Sequence, residues 1–155
     1  MLTHKQARDL VDAYAATAGA AWFRDRNVVE RPGYWFFPVG FIGSIGVVVD
    51  KATAKLTPFG SGLSLDDWMW GYENGFLVVP VTLRVLSVND VEATLQVLQD
   101  AVSGEFRWRY ELRNWLKERL HSLPADFPGQ DLNMAFPAFR AALANASFTY
   151  EIIAG

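Results

Sequence analysis

With 155 residues, 51% of them hydrophobic, the chain is long enough for one domain with a sizeable core, and its lack of cysteine excludes disulfides and thiolate zinc sites. A formal net charge of -3, a pI near 5.3 and Lys/Arg runs no longer than a pair argue against a nucleic-acid partner. No segment approaches the roughly 20 apolar residues of a membrane span, and Lys5, Arg8, Asp9 and Asp12 interrupt the N-terminus where a signal peptide would be apolar. A cytoplasmic protein without a membrane partner is therefore expected.

In chain order, Thr3 and Gln6 form a capping box, and Ala7, Leu10, Val11, Tyr14, Ala15 and Ala18 recur at helical spacing until Gly19. The polar segment 25–33 reads as a connection. "YWFFPVGFIGSIGVVVD" is aromatic and β-branched but broken by Pro38, Gly40, Gly43 and Gly46, which predicts two strands joined irregularly, the second over about Ser44–Val49. "KLTPFG" resumes the pattern after a hairpin loop, with Pro58 placing this third strand at an edge.

"LSLDDWMWGYENG", residues 63–75, predicts a helix of about ten residues. Ser64 and Asp67 form its capping box, Leu63 and Trp68 its hydrophobic staple, and Gly75 its left-handed end. "FLVVPVTLRVL" then puts Val79, Val81, Leu83 and Val85 on one face of a long strand. Asn89 and Glu92 predict the start of a third helix that runs to Gly104. A fourth buries Trp108, Leu112, Trp115, Leu116 and Leu120 and is closed by Pro124. "PADFPGQD" reads as a loop, Asn133 as the start of a fifth helix with Pro137 in its first turn, and "SFTYEII" as a last strand.

The order α-β-β-β-α-β-α-α-α-β describes an α+β fold, with an antiparallel sheet of about four to five strands and helices packed on one side. A single domain over 1–155 is expected. Residues 2–88 would hold the first helix and the sheet core, and 89–155 a helical extension and the last strand.

Little in the chain resembles catalytic chemistry. His4 and His121 sit in a first and a last helical turn without an acid or nucleophile at a readable spacing. No metal-ligand spacing and no phosphate loop occurs, so neither catalytic residues nor cofactors are expected. Trp108 and Trp115, flanked by Arg107 and Arg109, read as core because leucines share their helical spacing. The candidate partner-binding residues are Asp66, Asp67, Trp70 and Glu73. Trp68 and Tyr72, four apart, anchor one face of the helix, leaving Trp70 and the carboxylates on another. Asp66 and Asp67 also suit the positive end of the helix dipole.

"GYWFFP", "GVVVDKATAKLTPFGSG" and "LDDWMWGYENG" together resemble the immunity protein 35 family of bacterial polymorphic toxin systems, over residues 2–75. Trp35 and Phe37 match its W-x-F strand, Val49, Asp50 and Lys51 its V-D-K element, and Tyr72 with Glu73 its Y-E element. Ala54 stands where a turn glycine is usual, and the helices from 91 to 146 have no counterpart. The resemblance implies a non-enzymatic protein that binds a cognate toxin. The alternative is a small-ligand-binding protein, or an enzyme, with an apolar pocket between curved sheet and helices, lined by Trp35, Phe37 and Trp108. Self-association through an edge strand such as "SFTYEII" is a third reading. The toxin, any ligand and the oligomeric state are not legible in the sequence.

Overall fold

The computed structural model describes residues 1–17, 27–39, 43–102 and 108–155. The expected ends of the first and third helices at Gly19 and Gly104, and Gly40 and Arg107, lie outside these residues. The chain forms two compact units, Met1–Leu65 and Asp66–Gly155.

In the first unit, α1 (His4–Thr17) is followed by β1 (Val29–Glu30), β2 (Tyr34–Phe37), β3 (Ser44–Asp50) and β4 (Leu56–Gly60). The Thr3 amide donates to Gln6 Oε1 at 2.8 Å and the Gln6 amide to Thr3 Oγ1 at 3.2 Å, so the capping box is reciprocal. The strands form an antiparallel meander in chain order, with Trp35 opposite Val49 and Phe37 opposite Val47. Those four side chains share one face, and Ala7, Val11 and Ala15 of α1 pack on it. Phe36 and Val48, on the other face, are buried too. Gly46 lets the ladder close beside Phe36, for a Cβ there would stand 2.4 Å from the Phe36 ring and 2.5 Å from the Phe37 carbonyl oxygen. In the hairpin after β3, Asp50 accepts from the Ala52 and Thr53 amides at 2.8 Å each, and Ala54 takes the left-handed conformation at φ 61°.

The second unit contains α2 (Leu65–Glu73, from its second residue on), β5 (Val81–Val88), α3 (Val91–Ala101), α4 (Arg109–Arg119), β6 (Ala125–Gln130), α5 (Phe136–Ala144) and β7 (Phe148–Ala154). Its sheet has the order β6-β5-β7 and is antiparallel throughout. Leu83 pairs with both Phe127 and Ile152, and Val85 with both Ala125 and Tyr150, which puts these apolar side chains on one face. Helices cover that face, with Trp115 of α4 edge-on to Phe127 and Phe139 of α5 edge-on to Tyr150. The opposite face is a charged row in which Arg84 bonds Asp126 at 2.7 and 3.1 Å and lies 3.9 Å from Glu151.

The α+β class, antiparallel sheet of about four strands and one-sided helices thus follow the sequence, with the strands divided between two sheets. Several boundaries differ. The loop read at 124–131 is β6, because Ala125 and Phe127 alternate inward against Val85 and Leu83. The strand read from Phe76 begins only at Val81; Gly75, at φ 81°, turns Phe76 into the core, while Val79 is half exposed. Asp90, not Asn89, caps α3, its carboxylate accepting from the Ala93 amide at 3.0 Å. Helix α5 starts at Phe136 rather than Asn133, whose amide instead bonds Asp131. Trp108, read as core, precedes α4 and is 52% exposed.

Candidate functional site

Helix α2 carries all four candidate residues. It is seated in the second unit by Trp68, whose ring centroid lies 5.2 Å from that of Phe136, and by Gly71, which the Phe136 ring approaches so closely that a Cβ would stand 2.7–2.9 Å from its atoms. This seating fixes which side of the helix turns outward. Asp66, Trp70 and Glu73 stand at i, i+4 and i+7 and form one stripe on it.

The stripe is less free than its composition implies. Asp66 is exposed, with 78% of its side chain accessible, and bonds the Arg140 guanidinium of α5 at 3.0 Å. Asp67, in the same first turn, receives the same guanidinium at 3.3 Å. The hydrogen bond that Arg140 donates to Asp66, with the charge of both carboxylates, keeps the guanidinium still more firmly protonated than usual. Trp70 is half-buried and packs at 5.3 Å on Phe76, and its carbonyl accepts from the Asn74 side chain at 2.8 Å. Glu73 is exposed. The helix therefore presents two exposed carboxylates, Asp66 and Glu73, about two turns apart with half-buried Trp70 between them, and one guanidinium of α5 is shared by Asp66 and Asp67.

Other polar groups are placed as follows. His4 stacks on Phe37 at 5.8 Å and meets Trp35 edge-on at 6.0 Å, so it belongs to the packing of α1. Lys51, only 8% exposed, lies 4.4 Å over the Trp35 ring and bonds Glu30 at 2.8 Å; that bond and the lysine charge hold the Glu30 carboxyl below its ordinary range. The sequence offered no signal for the Glu30–Lys51 pair or for Arg140, because each partner lies far along the chain. Trp35 and Phe37 are buried against α1, while Trp108 is half-exposed in the second unit, so the three anticipated pocket residues serve different surroundings. A groove of about 440 Å³ in the second unit is lined by Val88, Val91, Lys117, Leu120, His121 and Leu123. Among the described residues, no cluster of three metal-ligating side chains occurs and no helix is long and apolar enough to cross a membrane.

No family model matches this chain, and no curated protein or solved structure matches it.

Proposed function

We propose that this protein acts by binding another protein, as a cytoplasmic bacterial immunity protein that occludes the active site of a cognate toxin. The carrying observation is the outward stripe of α2, where exposed Asp66 and Glu73 flank half-buried Trp70 on a helix locked by Trp68 and Gly71 against Phe136. An aromatic edge between carboxylates on a preorganised helix suits a basic partner surface, with the charges steering encounter and the indole supplying buried area. The resemblance of residues 2–75 to immunity protein 35 members supports the same reading. Its mechanism is steric and electrostatic and needs no catalytic group on this chain.

Co-expression with the product of the neighbouring gene tests it. Wild-type protein rescues growth, and Asp66→Lys, which reverses the exposed charge and whose folding is checked by circular dichroism, rescues at least tenfold less efficiently. Failure to rescue from any neighbouring toxin refutes the immunity role, and full rescue by Asp66→Lys moves the docking face away from α2.

The groove between the start of α3 and the end of α4 favours a second reading, a small-ligand-binding protein. A lining of four aliphatic side chains together with Lys117 and His121 suits an apolar carboxylate. Titration with medium-chain fatty acids, followed by tryptophan fluorescence, separates this reading from the first.

A further inference from the structure

Helix α3 buries Leu95 and Leu98 and leaves Val97 and Asp100 on its flank, and the chain passes that flank again in the turn between β6 and α5. Fully buried Leu132 anchors the turn, and two bonds set its shape: the Asn133 amide donates to Asp131 Oδ1 at 3.0 Å, and the Ala135 amide to the Leu132 carbonyl at 3.0 Å. Met134, between them, takes φ 75° and stays half exposed. A groove of about 340 Å³ runs between helix and turn, with Val97, Ala101, Met134, Pro137 and Ala138 as its apolar lining.

Asp100 and Asp131 also line the groove, and no basic side chain does. Asp100 is already matched, receiving Arg109 at 3.0 Å and the Gln96 side chain at 3.3 Å. Asp131 makes no ion pair with any described residue. One carboxylate in excess therefore stands beside an aliphatic wall, opposite in sign to the groove at the start of α3, which Lys117 and His121 line.

We propose that this groove binds a small primary amine with an apolar body, the ammonium on Asp131 and the body against Val97, Ala101 and Met134. Charge decides the class of occupant. A carboxylate would face both Asp100 and Asp131, and a neutral molecule would leave Asp131 unmatched, whereas an alkylammonium supplies the missing cation and buries hydrocarbon with it. The four methylenes of a protein lysine fill only part of about 340 Å³, which favours a free amine. The site shares no residue with the α2 stripe and does not depend on the role proposed for it.

Amide NMR of the whole chain, titrated with n-hexylamine hydrochloride at neutral pH and low salt, tests the assignment. Saturable shifts of the Ala101, Met134 and Ala138 amides are expected, half-complete at about 1 mM. n-Hexanol binds about threefold to fivefold more weakly, and hexanoate leaves these amides unmoved. Asp131→Asn keeps the oxygen that accepts from Asn133 and removes only the charge, so it lowers amine affinity by about the same factor and leaves hexanol affinity unchanged. Arg109→Ala frees Asp100 and raises amine affinity about twofold. Equal affinity for hexylamine and hexanol overturns the proposal, as do shifts that rise linearly to about 50 mM amine. An Asp131→Asn variant that binds the amine as wild type does, or an Arg109→Ala variant that binds it more weakly, overturns it too. Nα-acetyl-lysine amide binding as tightly as hexylamine assigns the groove to a protein side chain instead, and likewise overturns the free amine.

Discussion

The Arg140 guanidinium lies 3.0 Å from Asp66 and 3.3 Å from Asp67, tying the middle of α5 to the first turn of α2. Both carboxylates already occupy the favourable end of the α2 dipole, so the arginine sets the outward charge of the stripe more than it holds the helix in place. Arg140→Ala therefore lowers the melting temperature by only about 2 °C or less. On the proposed function it also leaves the stripe more negative, and association with a basic partner speeds up most at low salt. Stopped-flow binding at two ionic strengths checks this; a slower or salt-indifferent rate contradicts it.

Gly71 sits mid-helix, where alanine is ordinarily favoured by about 1 kcal/mol. Here the added methyl would meet Phe136 ring atoms at 2.7–2.9 Å, and that ring is fully buried and hemmed by Trp68 and Phe76. Overpacking of this kind costs about 1–3 kcal/mol. Gly71→Ala is thus expected to destabilise by about 1 kcal/mol net, read as a lower urea midpoint at unchanged slope. An unchanged or higher midpoint would show that Phe136 can give way.

The opposite sign is expected at Ala54, whose φ of 61° places a Cβ in the left-handed region. Relief of that conformation is worth roughly 1–2 kcal/mol, against about 0.4–1 kcal/mol for the added freedom of glycine in the unfolded chain. Ala54→Gly should stabilise by about 0.5 kcal/mol. Calorimetry showing a lower melting temperature would rule this out.

Acid stability offers a test of the open face of the second sheet. The hydrogen bond from Arg84, with the charges of Arg84 and Arg119, holds the Asp126 carboxyl below its ordinary 3.8 despite partial desolvation. A carboxyl depressed in the folded state contributes fully above its unfolded value, and the contribution is lost as pH falls through the folded one. Glu30, lowered by Lys51, acts in the same direction. Stability therefore declines below about pH 4, and Asp126→Asn flattens part of that decline while costing stability at neutral pH. A melting temperature with the same acid slope in wild type and variant would remove Asp126 from the account.

What the sequence made legible was local. The Thr3/Gln6 box, the hairpin at Asp50 and the alternation of β7 each rest on residues within a few positions of one another. β6 was hidden because Pro128 and Gly129 mark a loop by composition, while its strand character comes from Leu83 and Val85, about 40 residues earlier. Trp108 was misread as core because helical spacing does not reveal where a helix begins; it precedes the first turn of α4. On α2 the stripe itself was legible, but not the Arg140 clamp, whose partners are 74 and 73 residues apart.

The central place of β5 bears on biosynthesis. The first unit's strands are neighbours in the chain, so that sheet can close as soon as β4 has left the ribosome. β5 emerges with both edges bare, gains β6 only after α3 and α4 have been made, and waits for β7 until some 60 residues beyond its own end. Slow translation or premature termination in that interval leaves "VTLRVLSV" as an open strand during synthesis, which marks it as the segment of the nascent chain in greatest need of chaperone cover.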